Sequence, residues 1–103
     1  MSIAYVVNNR ADVPSDVRIL ALLADVARPG KDGKTPTELA KSLKTHVSQV
    51  SRSISRLQER GMVKRLAASR IRTYGNEEVT ARNRYYAIKG EGLVYLYGSL
   101  RSH

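Results

Sequence analysis

The segment TPTELAKSLKTHVSQVSRSISRLQERGMV, residues 35–63, constrains this chain more than any other. Thr35 and Glu38 have capping-box spacing, and Pro36 falls at the first helical position, where its missing N–H costs nothing. Leu39, Ala40 and Leu43 then supply an apolar stripe. After Lys44 the pattern lapses for a residue or two, so that Thr45 or His46 starts the next helix, which runs to Gly61. Glycine there suits the left-handed position just past a helix end. Beyond Gly61 the period turns from helical to extended. Any fold for this chain must therefore accommodate two short helices, a tight break between them and a strand immediately after.

The remaining segments read less sharply. Residues 1–12 are a short strand or an arm, from the weak alternation of Ile3, Tyr5 and Val7. From about Val13 to Arg28, Ile19, Leu22, Leu23 and Val26 recur at helical spacing, with Asp12 or Ser15 as the cap and Pro14 in the first turn. RPGKDGK, residues 28–34, is a loop. MVKRLAASRIRTY and VTARNRYYAI, separated by the turn-like GNEE at 75–78, predict a two-stranded antiparallel ribbon. Residues 91–103 form a last helix that is apolar almost all round, through Leu93, Val94, Tyr95, Leu96, Tyr97 and Leu100. Such a helix wraps onto its own domain or packs against a second copy. We expect Leu93, Leu96, Tyr97 and Leu100 to form a homodimer interface, with Ile3, Tyr5 and Val7 as further contributors. The expected organisation is one domain over 1–103: a three-helix core at 13–61 with a helix-turn-helix at 36–60, a wing at 62–89 and the terminal helix.

Charge points to the partner. Residues 1–34 hold five basic and four acidic side chains, whereas residues 35–103 hold thirteen and five, a net of +8. An anionic partner meeting the second part of the chain is expected, with nucleic acid and a membrane surface as the classes to weigh. The longest apolar run, near residues 3–7, is far short of the roughly 20 residues a membrane-spanning helix needs.

On a wheel turning 100° per residue from Val47, Val50, Ile54 and Leu57 face the core, while Ser48, Gln49, Arg52 and Arg56 face away. Small hydroxyls allow close approach, glutamine can pair bidentately with adenine, and arginine can grip guanine or phosphate. THVSQVSR, residues 45–52, contains no carboxylate to repel phosphates. This face suits the floor of a DNA major groove, against the plainer reading of a solvated surface. Val47 belongs either to the core or to the outer face, and Ser51 is expected to pack. Lys64, Arg65, Arg70, Arg72, Arg82 and Arg84 sit in or beside the ribbon strands, where arginine can follow the backbone or enter a narrow minor groove. Glu77 and Glu78 at the ribbon tip shift that work to the strand arginines. A charged edge protected from aggregation is the competing account.

ELAKSLKTHVSQVSRSISRLQERGMVKR, residues 38–65, and NRYYAIKGEG, residues 83–92, together resemble a winged helix-turn-helix of the MarR/ArsR-like transcription regulators. The resemblance covers about residues 13–100. It implies an α+β, mainly α fold: three helices, a two-stranded β-hairpin wing and a C-terminal helix. Carried over by position, it implies base or groove contacts from His46, Ser48, Gln49 and Arg52, with Arg56 nearby. It further implies backbone contacts from Thr37 or Lys44 and from the wing. The contribution of His46 rests mostly on the resemblance. Lys44 stands at a turn position where such proteins often carry glycine. Larger members build a dimer interface and ligand pocket from extra terminal helices, so a small-molecule effector is not expected here.

Catalytic, metal and cofactor sites are not expected. The chain has no cysteine, and His46 and His103 have no metal-ligand spacing with each other or with a carboxylate. GKDGKT, residues 30–35, lacks the spacing of a phosphate loop. The leading expectation is a cytoplasmic, nucleoid-associated regulator that binds double-stranded DNA specifically as a homodimer. The alternatives are an architectural or partition protein with low sequence preference, and an RNA- or protein-binding winged-helix adaptor.

Overall fold

The computed structural model describes residues 7, 13–66 and 84–101. Helix α1, Ser15–Ala24, starts where Pro14 holds an extended backbone and its carbonyl accepts the Arg18 N–H at 3.1 Å. No side chain caps it: Ser15 is already its first helical residue, so it is not the predicted cap, and Asp12 lies outside the described residues. Val17, Ile19, Leu20, Ala21, Leu22 and Leu23 are all buried, because α1 packs against the helices at 36–43, 47–59 and 90–101 and against the strand at 86–88. Each of its large aliphatic side chains gains about 1.5–3 kcal/mol from that burial. The apolar period predicts helix to Arg28, yet α1 stops at Ala24. Arg28, placed before Pro29, is pushed out of helical geometry. It closes a loop instead: Lys31 and Asp32 donate their N–H groups to its carbonyl, and its guanidinium meets Asp32 at 3.0 Å.

Helix α2, Pro36–Leu43, carries the predicted capping box: the Glu38 N–H donates to Thr35 Oγ1 at 3.1 Å, and the Thr35 N–H donates to Glu38 Oε1 at 3.2 Å. It ends on Lys44, which adopts the left-handed conformation at φ 54°, ψ 47°. The Thr45 N–H then reaches the Ala40 carbonyl at 3.0 Å and the Lys44 N–H reaches Lys41 at 3.3 Å, the paired bonds of a Schellman turn. Helix α3, Val47–Glu59, follows from His46 as its N-cap and leaves through Gly61 at φ 73°.

Strands β1, Val63–Arg65, and β2, Tyr86–Ile88, pair antiparallel with Val63 opposite Ile88 and Arg65 opposite Tyr86. Lys34, at the end of the α1–α2 loop, exchanges both backbone bonds with Tyr86 at 3.0 Å, so β2 is bonded on both edges. Helix α4, Gly90–Arg101, starts close against Met62, whose carbonyl also accepts the Lys89 N–H at 2.8 Å. A Cβ on Gly92 would stand 2.4 Å from that carbonyl, so only glycine allows this approach. Val7 is helical and fully buried, so at this position the expected strand is replaced by helix and the side chain belongs to the core; the other residues of the predicted strand or arm at 1–12 lie outside the described residues.

The described elements thus form a mainly helical fold with a helix-turn-helix, α2 and α3, and an antiparallel strand pair at the root of the wing. The outer parts of both predicted ribbon strands and the GNEE turn lie outside the described residues.

Candidate nucleic-acid interface

Helix α3 is held by Val50, Ser53, Ile54 and Leu57, which are buried, while the rest of its surface is open. Ser48, Gln49, Arg52 and Arg56 are all exposed, as the wheel predicts. His46 and Lys44 are exposed just ahead of them, and Thr37 is exposed on α2. Val47 lies outward, with 43% of its surface accessible, at the edge of the buried face. Ser51, predicted to pack, is exposed because the buried Val50, Ser53, Ile54 and Leu57 centre the inner face roughly 110° around the helix from it.

The first turn of α3 contains no acidic residue, so the positive end of its peptide dipole is not offset there. Glu38, the nearest carboxylate in sequence, is engaged with Thr35 at the start of α2. The Thr45 hydroxyl donates to Gln49 Oε1, joining the turn to the first turn of α3. Arg56 is held differently from the other basic groups: its Nη2 donates to Asp16 Oδ1 on α1 at 3.1 Å and to Ser53 Oγ at 3.0 Å. Its position beside Ser53 lets it reach across to α1, so part of its charge is already compensated. A shallow cleft of about 330 Å³ opens beside this face, bounded by Ser15, Ile19, Leu43, Thr45, Gln49 and Val50 among others.

On the wing root, Lys64, Arg65 and Arg84 are exposed. Arg70, Arg72 and Arg82 lie outside the described residues. Lys41, absent from the predicted site, is exposed in the last turn of α2. Its place between the inward-facing Leu39 and Leu43 was the available signal. Among the described residues no group of acidic, histidine or cysteine side chains is arranged to hold a metal ion, and no helix is long and apolar enough to cross a membrane.

The terminal helix divides the predicted dimer residues. Leu96 is completely buried in its own chain's core, so it is not free to meet a partner. Leu93 and Leu100 are partly buried against that core, whereas Tyr97 is 52% exposed. Val94, at 75%, is the most open large apolar side chain among the described residues, and it was not among the predicted interface residues. Tyr95 is covered by the Arg60 guanidinium, 4.9 Å from its ring centre.

The sequence profile of the MarR family matches residues 14–70, more than half of the chain. The chain belongs to the MarR family. Members of this family are transcription regulators, not enzymes. Solved structures share the fold. FabT of Streptococcus pneumoniae, in complex with DNA, superposes with a TM-score of 0.61 at 14% identity, covering 97% of this chain and 62% of that one. MepR of Staphylococcus aureus, also with DNA, gives 0.64 at 17% identity over 86% of this chain and 62% of MepR. A MarR-family regulator from a Rhodococcus species gives 0.65 at 21% identity over 97% and 59%. The present MarR-family chain therefore spans about three fifths of the length of these relatives. No curated protein sequence matches it.

Proposed function

We propose that this MarR-family chain is a sequence-specific, double-stranded DNA-binding transcription regulator that acts as a homodimer. The observation that carries the reading is the outer face of α3. Ser48, Gln49 and Arg52 project from a helix whose first turn has no carboxylate, while Val50, Ile54 and Leu57 anchor its other side. Glutamine and arginine there supply base-edge hydrogen bonds, Val47 supplies methyl groups for a thymine methyl, and Lys44, Thr37, Lys64, Arg65 and Arg84 supply phosphate contacts. Two neighbours of the same fold were solved with DNA, which supports the same use of this surface. Dimerisation through Tyr97, Val94, Leu93 and Leu100 would set two α3 helices in successive major grooves, about one helical turn apart.

The test is selection of bound duplexes from a random pool, followed by footprinting. A palindromic or near-palindromic site is expected, and Gln49→Ala with Arg52→Ala should abolish the preference while leaving a folded protein. Equal binding of random and selected duplexes would instead favour an architectural role. Unchanged binding by the folded double variant would overturn the reading.

A further inference from the structure

On the α3 face Gln49, like Arg56 further along, is already engaged in a side-chain hydrogen bond before any ligand arrives. Thr45 lies in the turn between α2 and α3, half-buried, with its backbone N–H fixed to Ala40 at 3.0 Å. Gln49 lies four residues on, in the first turn of α3, its own N–H bonded to the His46 carbonyl at 3.1 Å. Both backbones are therefore anchored, and the Thr45 hydroxyl donates across the gap to Gln49 Oε1.

A primary amide has one acceptor oxygen and two N–H donors. Bidentate recognition of adenine uses both ends, Oε1 accepting from N6 and Nε2 donating to N7. Guanine presents two acceptors in the major groove, O6 and N7, and asks only for donors. We infer that Thr45 determines specificity at the Gln49 position: its hydroxyl draws Oε1 back to the turn, leaves the amide NH₂ outward, and makes α3 select guanine over adenine there. Thr45 acts as a positioning residue, and the group meeting the base is Gln49. Arg52, one turn further along the same face, also carries only donors, so the two side chains together favour a guanine-containing half-site. The fixed amide also gives up less rotamer freedom on binding than a free glutamine. This inference rests on the proposed reading of DNA by α3.

The test is competition binding with duplexes that vary, through all four bases, the position whose preference is lost in Gln49→Ala. Wild type should prefer guanine at that position. Thr45→Val, which removes the donor, should move the adenine-to-guanine ratio toward adenine by about fivefold or more, the low end of what a bidentate contact discriminates. Thr45→Ser keeps the hydroxyl and should restore the wild-type preference. A wild-type preference for adenine, or a folded Thr45→Val variant with the wild-type ratio, overturns the inference. If Thr45→Val fails to fold, the side-chain amide NMR signals of the wild type decide. Gln49 should differ clearly from the exposed Gln58, and coincident signals overturn the inference. If no duplex position responds to Gln49→Ala, then DNA reading by α3 has failed, which is a separate result from failure of the Thr45 role.

Discussion

At the scale of single residues, Lys44 combines two demands that conflict. Its left-handed backbone, φ 54°, is one that glycine adopts freely and other L-residues adopt at a cost of about 1–2 kcal/mol. Its ammonium group stands exposed ahead of α3, where phosphate contact is proposed. Lys44→Gly should raise stability by about 0.5–1 kcal/mol, seen as a melting temperature a few degrees higher, because strain is relieved although the unfolded chain gains freedom. The same substitution should weaken duplex binding. A variant both more stable and equally tight would show that the lysine is retained for neither purpose. The turn itself was legible in sequence as a lapse in the helical pattern. Its hand was not, since nothing in the residue type lysine announces a positive φ.

Among the elements, α4 shows how far periodicity carries. A helix apolar on nearly all sides can bury one side in its own core and offer the other to a partner, and sequence alone does not divide the two. In the structure Leu96 is inside while Val94 and Tyr97 are outside. Leu96→Ala should therefore cost about 2–5 kcal/mol of unfolding free energy, the usual range for a buried leucine, measured by denaturant titration. A Val94→Ser, Tyr97→Ser pair should leave that stability nearly unchanged and shift the sedimentation behaviour toward monomer. Loss of stability without any change in association on the second substitution would refute the assignment of this face. Helices α2 and α3 were legible almost to the residue, because a capping box, a proline and a terminal glycine are local signals. The end of α1 was not: Val26 and Ala27 continue the apolar period, yet the helix stops at Ala24 ahead of the loop that Pro29 and the Arg28–Asp32 contact shape. Ser51 was misplaced for a related reason: the wheel was anchored on Val47, whereas the buried Val50, Ser53, Ile54 and Leu57 centre the inner face roughly 110° from Ser51.

For the molecule as a whole, the basic excess beyond residue 35 predicts strongly salt-dependent binding. If about six phosphates are neutralised, affinity should fall by around three orders of magnitude between 50 and 200 mM salt. Lys64→Ala should weaken binding alike across sequences and lower the slope by about 1. Arg56→Ala should change the slope less, since Asp16 already offsets that charge. Equal slope changes for the two variants would show that Arg56 leaves Asp16 when the duplex docks.

The double bonding of β2 has a mechanical consequence. On one edge it is laced to the strand that leaves α3, and on the other to Lys34, just before α2 begins. Helix α3, proposed to read the groove, and the root of the wing are therefore riveted to one plate, with a fixed span between them. Under that proposal a duplex engaging both would have to meet the span by its own twist and groove width, so stiffness and shape along the site would join base identity in deciding where the protein settles.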